Sequence, residues 1–129
     1  MNAQAGVLFV PVKDSREKLV KFLKTTAKSY LLSLAETWAK RMKTYYPNLT
    51  VTSARTRWGS CSGNDSLHFS FRLIFAPQEV IEYVVVHELC HTFHKDHSDK
   101  FWKLVKKHIP DYEQKLAFLT SHSWFMQLF

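Results

Sequence analysis

Four of the seven histidines of this chain lie within residues 87–97, in the segment VVVHELCHTFHKDHSDKFW. In an α-helix, His87 and His91 share one face because they are four residues apart. Their imidazoles can then reach one metal ion at about 2 Å, the distance that zinc prefers. Glu88 lies about 100° further round the helix, so it could flank the ion and act as general base on a metal-activated water. The segment therefore predicts the site of a zinc-dependent hydrolase.

A third ligand is needed because catalytic zinc usually has three protein ligands and one open position. His94 lies about two helical turns from His87, which is a long reach. His97 is the better candidate, because a helix that ends near residue 94 lets the chain turn back toward the ion. The HExxHxxxxxH spacing matches the metzincin pattern, in which glycine makes the turn. Histidine adopts left-handed conformations more often than most residues, so we predict that His94 makes the turn and His97 binds the metal.

A helix that carries histidines without a metal is the alternative. A chance His-Glu-x-x-His motif at this histidine content has odds on the order of one in a hundred, and most chance matches would lack a reachable third ligand. We therefore prefer the metal site. Cys61 is a weak candidate ligand because three histidines suffice. Structural or surface positions are predicted for the other candidates, namely His68, His108, His122, Cys90, Phe101 and Trp102.

The elements around this segment predict an α+β fold, a small antiparallel sheet packed against helices. An extended lead-in, with an edge strand around residues 7–12, precedes a helical region at 16–45. Residues 49–58 are rich in Thr and Val, and residues 67–75 alternate between apolar and polar side chains. Both patterns predict strands, and the turn residues 62–65 would join them in an antiparallel hairpin.

Three helices are predicted after the hairpin. Pro77 suits the first turn of the helix that carries HExxH, and this helix should end near Phe93 or His94. Ser98 can cap the next helix, which residues 109–111 end. A last helix runs to about Ser121.

Length and composition fit one soluble domain over residues 1–129, which can bury a core without disulfides. We expect a helical part at about 14–46, and a hairpin and metal-site core at about 50–112. No signal peptide is evident, and no apolar run approaches the ~20 residues that span a bilayer. We therefore expect a cytoplasmic protein with reduced thiols.

The formal net charge is +7, and lysines cluster at residues 13–43 and 95–107. Such a charge can attract nucleic acid, nucleotides or acidic proteins. Spaced lysines on solvated helix faces are the more common explanation, and no nucleic-acid motif accompanies them. Nucleic-acid binding is therefore possible on charge alone.

A run of short motifs resembles the YgjP-like metallopeptidase family in order and spacing: RWGSCS at 57–62, RLI at 72–74 with Pro77, YVVVHELCH at 83–91, HS at 97–98 with FW at 101–102, and PDY at 110–112. The family is similar to SprT-like and WLM zinc metallopeptidases. The resemblance implies a zincin-like core in which His87, His91 and His97 hold one Zn²⁺ and Glu88 is the catalytic base. The chain departs from the family at Ser70, where Asn is common.

Residues 57–62 are expected to line the cleft, where a strand can pair with an extended substrate. Arg57 could bind a carboxylate or phosphate of the substrate. Equally, it could brace the hairpin against acidic residues of the next helix, namely Glu79, Glu82 or Glu88. Ser60 and Ser70 are further candidates for substrate binding.

The leading hypothesis is a zinc metallopeptidase that acts on peptides. The same ion and base could hydrolyse a nucleoside triphosphate or pyrophosphate, but the chain has only three glycines and no phosphate-binding loop. A basic nucleic-acid-associated protease, or a binding module with structural zinc, is a third possibility. Structural zinc usually has four protein ligands, which disfavours the binding module. The sequence does not distinguish zinc from Mn²⁺ or Ni²⁺.

Overall fold

The structure, a computed structural model, describes residues 12–129. It is an α+β fold, as predicted. The helices are α1 (Val12–Met42), α2 (Gln78–Cys90), α3 (Asp99–His108) and α4 (Tyr112–Ser121), and the strands are β1 (Leu49–Thr52), β2 (Gly59–Cys61) and β3 (Leu67–Ser70). Two 3₁₀ helices occupy Phe71–Phe75 and Ser123–Gln127. The predicted edge strand at residues 7–12 lies outside the described residues, apart from Val12, with which α1 begins.

The three described strands form a mixed sheet in the order β1-β3-β2, so the prediction of a purely antiparallel sheet is wrong. β2 and β3 pair antiparallel through the predicted turn, whereas β1 pairs with β3 in parallel. Residues 53–58 form a loop, and the chain leaves the sheet after Ser70. The Ser70 hydroxyl accepts a hydrogen bond from the Arg72 backbone N–H at 3.3 Å, which caps the 3₁₀ helix.

Arg72 explains why the predicted strands are interrupted. Its side chain is buried, with only 2% of its surface exposed. Its guanidinium donates to four backbone carbonyls, those of Leu128 at 2.7 Å, Ser53 at 2.8 Å, Phe129 at 3.1 Å and Ala54 at 3.5 Å. The residue that an alternating strand would direct outward is therefore turned inward. It fixes the loop at residues 53–58 to the C-terminal segment.

α1 packs one face onto the rest of the molecule. Its buried residues recur at intervals of three or four, as a helix with one apolar face requires: Ala27, Leu31, Ala35, Trp38 and Met42. The helix ends where Lys43 adopts a left-handed conformation with φ of 58°. The Thr44 N–H then donates to the Ala39 carbonyl at 3.0 Å, which satisfies one of the free carbonyls of the last turn.

α2 is the central helix and carries HExxH. It packs against α1, α3, α4 and β2, and its mostly apolar sequence fits this burial on several sides. The helix ends at Cys90, slightly before the predicted end. Tighter bonds follow, from the Thr92 N–H to the Leu89 carbonyl and from the Phe93 N–H to the Cys90 carbonyl.

His94 lies in this turn but does not make it by the predicted left-handed conformation. Among the described non-glycine residues, positive φ occurs at Lys43, Asp65 and Phe129. The chain instead reverses through successive tight turns, so no left-handed residue is needed.

α3 begins at the predicted cap. The Ser98 hydroxyl accepts a hydrogen bond from the Phe101 N–H at 3.4 Å, and Phe101 and Val105 are buried. α4 follows after a short turn, and both α3 and α4 pack against α2. Within residues 12–129, no helix is long and apolar enough to cross a membrane.

Candidate metal centre

His87, His91 and His97 converge at the end of α2. One ring nitrogen from each lies within 4.8 Å of the others, and the Nε2 atoms of His87 and His97 are 3.4 Å apart. Two nitrogens bound to a tetrahedral zinc at 2.0–2.1 Å would be separated by roughly 3.4 Å. The turn after α2 therefore brings His97 to the two helical histidines, at a spacing that fits one metal ion.

Hydrogen bonds orient the two helical imidazoles. The Nδ1 atom of His87 lies 3.1 Å from the Tyr83 hydroxyl, and that of His91 lies 2.9 Å from the His94 carbonyl. A carbonyl only accepts, so Nδ1 of His91 carries the proton and its Nε2 has a free lone pair. The same tautomer of His87 would donate to the Tyr83 oxygen. Such partners are typical of metal-binding histidines.

Two aromatic residues of α3 pack behind the histidines. The Phe101 ring stacks on His91 with centroids 4.3 Å apart and an interplanar angle of 21°. Trp102 stacks on His97 at 5.8 Å and 27°. The sequence predicted these two residues as core of α3. They also restrict the rotation of the imidazoles that face them.

Burial favours the neutral form of the two helical histidines, His87 and His91. It lowers the pKa of His87 to about 3, with further lowering from the nearby His91 and His97. Burial also lowers the pKa of His91. Neutral imidazole is the form that binds a metal, so His87 and His91 can accept a cation without first losing protons at neutral pH.

Glu88 is buried beside the cluster, and burial raises the pKa of its carboxyl to about 8. Its stem packs on β2 at Gly59. A Cβ atom added to Gly59 would lie 3.1 Å from Cγ of Glu88 and 2.9 Å from Cδ1 of Phe69. Only glycine therefore lets β2 pass this close to Glu88. Gly59 lies within the RWGSCS motif, but the motif alone does not indicate this close approach.

A pocket of about 220 Å³ opens beside His87 and Glu88. Arg57 and Trp58 contribute one wall, and α4 contributes another. Arg57 is exposed and forms no ion pair with any residue in the described part of the chain. The predicted brace against an acidic residue of α2 is therefore not found, and Arg57 lies at the pocket instead.

The other two candidate substrate residues lie elsewhere. Ser60 is in β2, opposite His68 of β3. Ser70 is 1% exposed, and its hydroxyl donates to the Ala54 carbonyl at 2.8 Å. These contacts give Ser70 a place in the fold, next to the loop that Arg72 holds.

The remaining predicted structural residues fit the fold. Cys90 is fully buried in the core, and Cys61 is half-buried with its Sγ 3.9 Å from Nζ of Lys95. His68 Nδ1 lies 2.5 Å from the Thr50 hydroxyl on the neighbouring strand. Tyr83 was missed as a partner of His87, although its position four residues earlier on the same helix is a usable signal.

The fold and the comparisons with known proteins define the class: a metallopeptidase with a zincin-like fold, and so a metal-dependent hydrolase. Residues 10–122 match the family described as "YgjP-like, metallopeptidase domain", and the chain belongs to that family, as the sequence motifs predicted.

The fold is shared with a solved structure. The crystal structure of the metallopeptidase zymogen of Pyrococcus abyssi abylysin aligns with a TM-score of 0.61 and 19% sequence identity. The alignment covers 71% of this chain and 94% of that one. No match was found among proteins of curated function. Neither the family nor the structural likeness supports a nucleotide substrate or nucleic-acid binding.

Proposed function

We propose that this metallopeptidase is zinc-dependent, with one Zn²⁺ held by His87, His91 and His97, and that Glu88 is its general base. The observation that carries the proposal is the convergence of three oriented imidazoles beside a buried carboxylate that faces a pocket. Three protein ligands leave one coordination position open, which is the pattern of catalytic zinc and not of structural zinc.

The donor set fits the ion. Three neutral imidazole nitrogens suit zinc, and they also suit other divalent transition metals. When bound, zinc would polarise the scissile carbonyl and lower the pKa of a water molecule toward 7.

Glu88 would carry the proton through the reaction. Its carboxylate takes a proton from the attacking water and then gives it to the amine that leaves. Without a metal, burial raises the pKa of the Glu88 carboxyl to about 8. A cation in the site would oppose this rise and keep Glu88 ionised at neutral pH. Burial by Gly59 and β2 also fixes the direction of the side chain.

Metal content tests the ligand assignment. Protein purified without a metal-binding tag is analysed by mass spectrometry, after zinc is supplied, as wild type, His97→Ala and His94→Ala. His94→Ala is the matched control, because His94 contacts the site through its backbone carbonyl alone. We expect about one zinc per chain in wild type and the control, and a sharp loss in His97→Ala. Loss in the control with retention in His97→Ala would refute the assignment, as would a wild type without zinc.

Glu88→Gln tests the base. The amide keeps the shape of the side chain but cannot take a proton, so peptide cleavage should fall by roughly 10²–10⁴-fold while zinc is retained. Cleavage that persists at the wild-type rate in the zinc-loaded variant would rule out Glu88 as the base.

A further inference from the structure

The pocket beside Glu88 has an apolar lining that the proposed chemistry does not explain. Trp58 lies on one side, Val84 comes from α2 one turn before Glu88, and Leu116 and Leu119 come from α4. Leu119 is 5% exposed and Leu116 is 39% exposed, so the first lies deep and the second lies at the mouth. The pocket therefore joins an apolar interior to the two polar side chains of the candidate centre, His87 and Glu88.

The walls are fixed by packing. Trp58 meets Phe125 edge to face with centroids 4.6 Å apart, and Phe125 is itself buried. Val84 is 3% exposed within α2. A preformed apolar pocket of this kind is typical of a site that selects a ligand by shape and hydrophobicity.

The volume sets the size of the occupant. An apolar protein cavity of roughly 150 Å³ admits benzene, so a pocket of about 220 Å³ can hold a leucine, methionine or phenylalanine side chain. Alanine would leave most of it unfilled. Lysine would bury a charge among mostly apolar side chains, and Arg57 at the pocket offsets the attraction of Glu88 for a cation.

We propose that the pocket selects peptides with a large apolar side chain, of the size of leucine to phenylalanine, at one of the two residues that flank the cleaved bond. This inference rests on the proposed function, because it places the cleaved bond at His87 and Glu88. Leu116 and Leu119 determine the selectivity, and neither takes part in the proton transfer. One methylene more or less in such a pocket changes selectivity by about 10- to 200-fold, so leucine should be preferred to alanine by at least about tenfold.

The first experiment measures kcat/KM for a series of fluorogenic peptides that differ at this one residue, with alanine, leucine, phenylalanine, aspartate or lysine. Zinc-loaded wild type is compared with Leu116→Phe, which adds bulk at the mouth of the pocket. Because Leu116 is partly exposed, the added bulk should be tolerated by the fold. Ala117→Phe is the matched control, since it places the same side chain on the same helix at an exposed position outside the pocket.

We expect wild type and Ala117→Phe to prefer the leucine and phenylalanine peptides by at least about tenfold over alanine. Leu116→Phe should lower kcat/KM for those two peptides by a similar factor and change the alanine peptide little. Cleavage without an apolar preference, or a preference that Leu116→Phe does not alter, would overturn the pocket assignment and leave the proposed peptidase intact. Cleavage of none of the peptides by zinc-loaded protein would count against the proposed peptidase itself.

A binding measurement makes the inference independent of turnover. The zinc-loaded Glu88→Gln variant is titrated with the leucine and alanine peptides by calorimetry, alone and combined with Leu116→Phe. We expect the leucine peptide to bind at least about tenfold more tightly, and the combined variant to lose that difference. Equal affinity for the two peptides in Glu88→Gln would refute the selectivity of the pocket, whatever the outcome of the cleavage assay.

Discussion

Replacing Tyr83 with phenylalanine tests whether the orientation of His87 matters for metal binding. The change removes one oxygen atom, which lies 3.1 Å from Nδ1 of His87. That distance is within the normal range of a hydrogen bond. Tyr83 is 1% exposed, so no bulk water can replace the lost partner. The variant therefore isolates one buried hydrogen bond.

The expected magnitude follows from the group that is left without a partner. When Nε2 of His87 binds a metal, its Nδ1–H is a donor, and a buried donor without an acceptor costs about 1–3 kcal/mol. Since 1.4 kcal/mol is tenfold in affinity, zinc should bind roughly 10- to 100-fold more weakly. The same range is typical when the hydrogen-bond partner of a metal ligand is removed.

Competition with a zinc-binding dye at neutral pH measures this affinity. Tyr112→Phe is the matched control, because the Tyr112 ring stacks on Tyr83 at 6.3 Å and its hydroxyl makes no hydrogen bond with a residue in the range 12–129. The control should bind zinc as wild type does. Tyr83→Phe that keeps wild-type affinity, with an unchanged melting temperature without metal, would show that Tyr83 does not orient His87.

Three further predictions concern the elements around the site. Gly59→Ala should lower the free energy of unfolding by about 1–3 kcal/mol through overpacking, whereas Gly63→Ala, with open space at its Cβ, should leave the melting temperature unchanged; equal effects in thermal denaturation would contradict the close approach. Burial raises the pKa of Glu88 from 4.5 to about 8, so its ionisation opposes folding, with a penalty that is absent well below pH 4.5 and complete above pH 8. Metal-free Glu88→Gln should therefore melt higher than wild type at pH 9 and differ little at pH 4, and a constant difference at both would refute the shift. Ser98→Ala should cost about 1 kcal/mol in denaturant unfolding, and an unchanged midpoint would mean that the cap at α3 contributes nothing.

The local parts of this structure could be predicted from the sequence. His87 and His91 share a helical face because of their spacing. Ser98 caps α3 because the N–H that its hydroxyl binds, that of Phe101, is only three residues away. The convergence of His97 with them also follows from a short turn. Each of these relations joins residues that are close in the sequence.

The non-local parts could not be predicted. Nothing in residues 49–58 shows that β1 pairs in parallel with β3, because an alternating pattern gives the face of a strand and not its neighbour. The strand predicted over residues 67–75 ends at Ser70, because the carbonyl partners that bury Arg72 come from distant segments and leave no local signal. The predicted left-handed conformation of His94 is wrong for a different reason. A chain can reverse its direction through successive tight turns without any left-handed residue.

The loop at residues 53–58, which Arg72 holds, and the histidine cluster differ in their resistance to local unfolding. The bonds of Arg72 to Leu128 and Phe129 span 56 and 57 residues of sequence, whereas His87 and His97 are only ten residues apart. Closing a long stretch of chain costs more entropy than closing a short one, and partial unfolding begins where few contacts hold a segment. Mild heating or denaturant should therefore free the loop that bears Arg57 and Trp58 while the histidine cluster is still formed. A sample of this protein could then carry its full complement of metal and yet have lost the wall that holds a substrate.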